Sequence, residues 1–340
     1  MVTIKDIARR LSISSSSVSR ALNGKRGVSA ELCERVKKVA KEIGYHPDST
    51  ARALIGGKVR VIGVIIPRSV EYSFSNAYYP LILQGICERC RALNYHVLLS
   101  FAQIESYTEL FFRRLADGII VCANRIDDKQ LDDLGKNEIP TCLIPGYPKG
   151  KRNQLPSVDA DHFQSTYTAV SHLIDLGHSK IAFILGAGNS KYTIDRLNAY
   201  QKALKDNGIE FKLEYAPQSD FTREQGYNSM KRLLKLNRAD RPTAVLCTND
   251  VITLGAIQAI NEKKMKFPED ISIVSIGDTA YTKSVVPSLT TIYIPYHLIG
   301  IRAAELVIKQ INRVKIRRKC IELPSRFIVR NSTAKPNESC

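Results

Sequence analysis

No tryptophan occurs anywhere in the 340 residues, so intrinsic tryptophan fluorescence is closed as a probe of ligand binding. No apolar run approaches the ~18 residues that a membrane-spanning helix needs, and no secretory apolar region stands at the N-terminus, so a cytoplasmic chain with no membrane partner is expected. Eight cysteines are scattered without a framework, and the close pair Cys87 and Cys90 lies in a helix-like segment with no second pair. A zinc site needs about four ligands. Reduced structural thiols, a reducing compartment and no metal are therefore expected. Gly-x-Gly-x-x-Gly, a phosphate-binding P-loop, a nucleophile elbow and clustered metal ligands are all missing. No enzyme and no cofactor is expected.

Acidic residues are also in short supply, 33 against 50 Lys and Arg, for a net charge of +17. Two stretches hold most of that excess. Residues 1–60 contain 13 basic and 5 acidic side chains, and residues 309–330 contain 8 basic ones against Glu322. A local basic excess is the footprint of a polyanion partner, although charge runs are more often solvated faces. The 309–330 stretch reads as such a face, with a phosphoprotein or DNA contact as the sharper alternative. At this length the chain exceeds one ordinary core and calls for two or three folding units.

The first 46 residues read as three short helices. Thr3 ahead of Ile4-Lys5-Asp6 makes a capping box, and Ile4, Ile7, Ala8 and Leu11 share one face. Ser12-Ile13 forms the turn, and Ser14 caps a second helix that buries Val18, Ala21 and Leu22 while Ser15, Ser16, Ser19 and Arg20 point outward. A third helix starts at Ser29, buries Leu32, Val36, Val39 and Ile43, and stops at Gly44. This is the helix-turn-helix plan, whose second helix enters the major groove of DNA. Arginine can fork onto guanine, so Arg20 is the first candidate for reading a base, with Ser15 and Ser16 second. Ser14 and Ser19 suit capping or phosphate, while Lys5, Lys25 and Arg26 suit phosphates.

From Val59 the texture changes. Short apolar runs at Val61–Pro67, Tyr95–Phe101, Gly118–Ala123, Thr141–Ile144, Ile181–Leu185, Ala244–Thr248 and Ile271–Ile276 read as buried parallel strands, alternating with amphipathic helices. Thr290–Pro295 reads as a connection into a last helix, Tyr296–Ile311. The pattern predicts two doubly wound α/β lobes with a ligand cleft at the strand ends.

Thr-Ile-Lys-Asp-Ile-Ala, then Ser-x-x-x-Val-Ser-Arg-Ala-Leu-Asn, then Ile-Gly-Tyr-His-Pro-Asp resembles the lactose-repressor/galactose-repressor family of bacterial transcription regulators. The likeness continues through Asp117-Gly118-Ile119-Ile120, His172–His178, Pro242–Val245 with Asn249-Asp250, Leu289–Ile292 and Val329–Thr333. It implies an all-α helix-turn-helix head (1–46), a hinge helix and linker (47–59), and a two-lobed α/β core like that of periplasmic binding proteins. The lobes would be 60–160 plus 292–320 and 161–291 plus 321–334, with a tail at 335–340. Its implied DNA contacts are Thr3, Lys5, Ser14, Ser15, Ser16, Ser19, Arg20, Asn23, Lys25 and Arg26, with Arg52 and the minor-groove wedge Leu54 from the hinge. Its implied effector contacts are Ser75, Tyr78, Tyr79, Arg196, Asn249 and a stacking ring, Phe221.

As the resemblance implies, the chain would be a homodimeric repressor on a pseudo-palindromic operator, modulated by a small molecule derived from a sugar. A transport-type sugar-binding protein and an effector-independent regulator are the alternatives. Three departures stand out: Ser12 where the family often has glycine, Gly277 where it has a ligand carboxylate, and Ile294 where a glutamine is common. The last two point to an altered effector, because they remove groups that would hold a sugar's hydroxyls. His178 reads as structural.

Overall fold

Asp6 explains where the first helix begins. Its carboxylate accepts from the Thr3 N–H at 2.9 Å and from the Thr3 hydroxyl at 2.8 Å, so helix α1 (Ile4–Leu11) starts capped. These bonds hold the Asp6 carboxyl below its ordinary pKa. Ser12 ends α1 with φ 52°, a left-handed residue that turns the chain into α2 (Ser15–Leu22). Glycine is common there for this reason, since a Cβ is disfavoured in that region. Ser29 caps α3 (Ala30–Glu42) by accepting from the Leu32 N–H at 3.2 Å. Ile7, Ala8, Val18, Ala21, Val36 and Ala40 form the small core of the head.

The computed structural model describes residues 2–22, 27–45, 58–101, 106–123, 125–146 and 155–337. The expected contacts Asn23, Lys25, Arg26, Arg52 and Leu54, and residues 47–57 of the expected hinge and linker, lie outside them. Residues 1–59 and 60–340 are separate compact units.

The second unit contains β1 (Val61–Ile66), α4 (Val70–Ser75), α5 (Tyr78–Ala92), β2 (His96–Phe101), α6 (Glu109–Phe112), β3 (Gly118–Cys122), α7 (Gln130–Lys136), β4 (Thr141–Ile144) and β5 (Ser157–Ala160). It continues with α8 (His162–Asp175), β6 (Ile181–Ile184), α9 (Lys191–Asp206), α10 (Arg223–Leu233), β7 (Ala244–Cys247), α11 (Asp250–Glu262), β8 (Ser272–Gly277), α12 (Ala280–Ser284) and β9 (Thr290–Tyr293). Helix α13 (Tyr296–Ile311) and strands β10 (Cys320–Leu323) and β11 (Arg326–Ile328) complete it. The first sheet has the order β10-β5-β4-β3-β1-β2, all parallel. The second has the order β11-β9-β8-β7-β6, parallel except for β11.

All seven expected strands form, although β2, expected to be buried, is an edge strand whose residues are all partly or fully exposed, and among the described residues four more strands join them. The stretch at 290–295, expected as a connection, holds β9 of the second sheet, and β10 belongs to the first. The expected lobe boundaries at 291/292 and 320/321 therefore move to about 294 and 324. The edge strands β10 and β11 are half exposed and polar, so no apolar run announced them. Strand β5 is buried but carries Asp159, which breaks its apolar pattern.

Helices α5 and α13 meet at Gly85 and Gly300. A Cβ at either position would collide with the other helix's backbone, at His297 O and Ile82 O respectively. This close approach carries α13 across the first lobe and delivers Tyr296, its first residue, to the space between the lobes. His178 is structural, as expected. Its Nδ1 lies 2.8 Å from Thr243 Oγ1 and its Nε2 2.9 Å from the Ala334 carbonyl.

Candidate nucleic-acid face and ligand cavity

Helix α2 buries Val18 and Ala21, and that turns Ser15, Ser16 and Arg20 to solvent. Ser14 accepts from the Ser17 N–H at 3.1 Å through its hydroxyl, and from the Val18 N–H at 3.1 Å through its carbonyl. It is thus the cap of α2, as expected. Its Oγ also lies 2.8 Å from Ser16 Oγ and 2.9 Å from Ser17 Oγ. The helix N-terminus presents linked hydroxyls that can each exchange a neighbour for a base edge or a phosphate oxygen. Ser19 is half-buried, Lys5 is exposed, and the Thr3 hydroxyl is engaged by Asp6.

Between the lobes of the second unit lies a cavity of about 750 Å³, counting its open mouth. Five of the six expected effector residues line it: Tyr78, Tyr79, Arg196, Phe221 and Asn249. Ser75 does not. It is exposed at the end of α4, its hydroxyl donating to the Tyr72 carbonyl at 3.1 Å, and its neighbour Asn76 takes the place at the wall.

Arg196 is the buried cation of the cavity, 4% exposed. One guanidinium nitrogen donates to the Thr248 carbonyl at 2.8 Å and to the Thr248 hydroxyl at 3.0 Å, and the other lies 3.1 Å from His162 Nδ1. Its Nε–H finds no acceptor among the described residues. Behind it, His162 Nε2 lies 3.1 Å from Asp159 Oδ1, and Asp159 Oδ2 accepts from Lys191 at 3.0 Å. Lys191 also pairs with Asp195. Burial, and then the adjacent Arg196, push the His162 pKa down. Burial opposes the charge on Asp159, yet His162 and Lys191 outweigh it and hold that carboxyl below its usual range. With His162 neutral, two cations and two carboxylates leave this cluster without net charge.

Phe221 sits at φ 71°, a left-handed conformation that an aromatic residue rarely adopts. Ser219 supports it, accepting the Phe221 N–H at 3.3 Å while its hydroxyl donates to the Leu185 carbonyl at 2.6 Å. Gly186 gives the ring its room, since any Cβ there would enter the ring. Opposite, Tyr78 hydrogen-bonds Tyr192 at 2.9 Å, joining α5 of the first lobe to α9 of the second. The Tyr78 ring also packs edge-on against Tyr79 and Tyr296, at 4.8 and 5.2 Å between centroids.

The position expected to lack a carboxylate is not bare. Gly277 has φ 146°, and a Cβ on it would lie 2.8 Å from Asp250 Oδ2. Asp250 is a lining residue, held by the Ser275 hydroxyl at 2.6 Å and the Thr279 N–H at 3.0 Å. Burial pushes its pKa up. A carboxylate from α11 thus occupies the neighbourhood that a side chain on residue 277 would fill. Ile294 is buried outside the lining, and Tyr296 reaches the cavity instead. Asn249 spends its side-chain oxygen capping α11, accepting from the Ile252 N–H at 2.7 Å.

Sequence reasoning missed His162, Tyr192, Asp250 and Tyr296. Tyr192 could have been found, because it stands four residues before Arg196 on one helix face, where it packs under the guanidinium at 5.4 Å. Nothing local marks His162.

Residues 3–48 match the family described as bacterial regulatory proteins, lacI family, and residues 170–333 match a periplasmic binding protein-like domain. The catabolite control protein A of Priestia megaterium is 30% identical over 338 residues, covering 98% of this chain and 99% of that protein. The HTH-type transcriptional repressor PurR of Mannheimia succiniciproducens is 31% identical over 342 residues, with 98% and 99% covered. Among solved structures, the lac repressor dimer bound to operator and the anti-inducer ONPF aligns with a TM-score of 0.84 at 26% identity, covering 98% of this chain and 99% of that one. The transcriptional regulator CelR in complex with cellobiose aligns at 0.74 and 25% identity, covering 98% and 100%. With a helix-turn-helix head and a two-lobed ligand-binding core that match along nearly their whole length, this chain belongs to the lacI family of bacterial regulatory proteins and is a DNA-binding transcriptional regulator rather than an enzyme.

Proposed function

We propose that the protein is a cytoplasmic repressor that binds a pseudo-palindromic operator as a homodimer, and that a neutral sugar or sugar derivative in the interlobe cavity changes its operator affinity. The observation that carries the ligand reading is Phe221. A bulky side chain at φ 71° costs about 1–3 kcal/mol and persists where its surroundings over-determine it, as at ligand clamps. Its ring offers an apolar plate for the face of a sugar. Arg196 and Asn249 on the surrounding wall supply donors, and Asp250 supplies an acceptor for hydroxyls. The neutral cluster behind Arg196 favours an uncharged ligand over a phosphorylated one. Asp250 also removes the main reason to expect a site unfit for hydroxyls. The related structures with an operator and an anti-inducer, and with cellobiose, support both halves of the reading.

For the ligand to act, it must bind the two states of the regulator unequally, typically by about 1–3 kcal/mol of coupling. A thermal-shift screen of neutral mono- and disaccharides against their phosphates tests the class. Saturable stabilisation by a neutral sugar, together with a changed affinity for duplexes selected from random DNA, is the expected outcome. Stabilisation by phosphates alone would refute it.

A further inference from the structure

The parallel order of the first sheet places every residue that directly precedes one of its strands at the same edge. Arg60 directly precedes β1, Lys319 directly precedes β10, and the α13–β10 connection that ends in Lys319 arrives there as well. That connection carries Arg313, Lys315, Arg317, Arg318 and Lys319, all exposed, and among the described residues none of these five has an acidic partner.

The segment has a defined shape. Arg313 has φ 55°, its N–H donates to the Gln310 carbonyl at 2.9 Å, and the Val314 N–H donates to the Lys309 carbonyl at 2.9 Å. Those are the two bonds of a Schellman close, which turns the chain sharply off α13. Ile316 then packs on the core, and the Lys319 carbonyl accepts from the Ser157 N–H at 2.8 Å. Between these anchors the cations are held on the outside. Acids at the edge are fewer: Asp117 is bound by the Arg60 N–H at 2.7 Å, and Glu138 is exposed. This is also the edge at which the chain enters the core from the DNA-binding head, at Lys58-Val59-Arg60. A basic surface tethered to a DNA-bound head meets further DNA at high effective concentration.

We propose that this basic edge of the first lobe is a second, sequence-independent DNA-binding surface, which touches backbone phosphates outside the base pairs that the head reads. It rests on the proposal of operator binding, and it adds affinity without specificity.

The test uses the full-length chain and two duplexes: a minimal site enriched by the wild type from random DNA, and that site with about 20 base pairs of flank on each side, longer than the head's reach of about one helical turn per half-site. Binding is followed by anisotropy across a salt series. For Arg317→Gln/Arg318→Gln/Lys319→Gln, the salt slope on the long duplex should fall by about 2–3 per protomer, roughly 0.9 for each phosphate that the variant no longer neutralises. On the minimal duplex it should not change, and Arg317→Lys/Arg318→Lys should retain the wild-type slope on both. Equal slopes for wild type and triple variant on the long duplex overturn the proposal, as does an equal loss on both duplexes. An acidic protein as the true partner gives the first of these results. If the wild type enriches no site, the operator reading fails, and the basic edge is then judged by the same slopes on a random duplex of the longer length.

Discussion

Arg196 Nη2 and His162 Nδ1 lie 3.1 Å apart, and this one pairing settles which nitrogen of the histidine carries its proton. A guanidinium has no lone pair to offer, so Nδ1 accepts, and Nε2 keeps the hydrogen that it donates to Asp159. The side chain at the crossing from β5 to α8 is therefore a neutral relay between a buried cation and a buried carboxylate.

Acid should loosen this junction. Burial and then Arg196 lower the folded pKa of His162 below the ordinary 6.5, so the unfolded chain takes up the proton first. The stabilisation is fully present above about pH 6.5 and is lost as the pH falls through the interval down to the folded value. Burial shifts His172 and His178 the same way. The melting temperature is expected to drop between pH 7.5 and 5.5, less steeply in His162→Gln. An equally steep drop in that variant would assign the effect to the other two histidines.

Phe221 and Gly186 should separate ligand affinity from stability. Phe221→Gly removes the ring but also the left-handed strain, so its melting temperature should stay near wild type while effector affinity falls by more than tenfold, about 1.4 kcal/mol. Gly186→Ala drives a methyl into the ring and should cost about 1–3 kcal/mol of stability as well as affinity. Calorimetric titration beside thermal melts reads both.

Restoring the carboxylate at residue 277 should harm this protein. Gly277→Asp places a side chain at φ 146° with a like charge beside Asp250, at a cost of about 3 kcal/mol or more. Asp250→Gly in the same chain should recover part of the loss. A double-mutant cycle from urea melts measures the coupling, and strictly additive losses would show that the two positions do not compete.

Within the head, Arg20 and Lys5 should differ in kind. Arg20→Ala is expected to relax discrimination at one position in each half-site, by about 1–3 kcal/mol, while Lys5→Ala weakens binding to all duplexes alike and flattens the salt slope. Equal losses on selected and random DNA for Arg20→Ala would reassign it to phosphate.

The expected elements form where the local rule is strong. Thr3 with Asp6, Ser14 and Ser29 begin their helices as caps, and each of the seven apolar runs read as a strand in the core is one. Legibility weakens where partners are distant in sequence. Asp159 and Lys191 are paired across 32 positions, Tyr78 and Tyr192 across 114, and no periodicity encodes such pairings. The polar edge strands β10 and β11 escaped notice because half their residues face water.

By itself the sequence determined the head, its exposed serine and arginine face, and the alternation of strands and helices in the core. These follow from neighbours within a turn or two, where spacing alone decides which side chain is buried. Only the tertiary structure decided what the cavity contains. It brought Asp250 to the place left open by Gly277, stood Phe221 over Gly186, and gathered the cations of the α13–β10 connection at the edge where the chain enters the core. A site assembled from several strand ends depends on how the sheets are ordered. That order is set by burying whole faces at once, and no short window of residues records it.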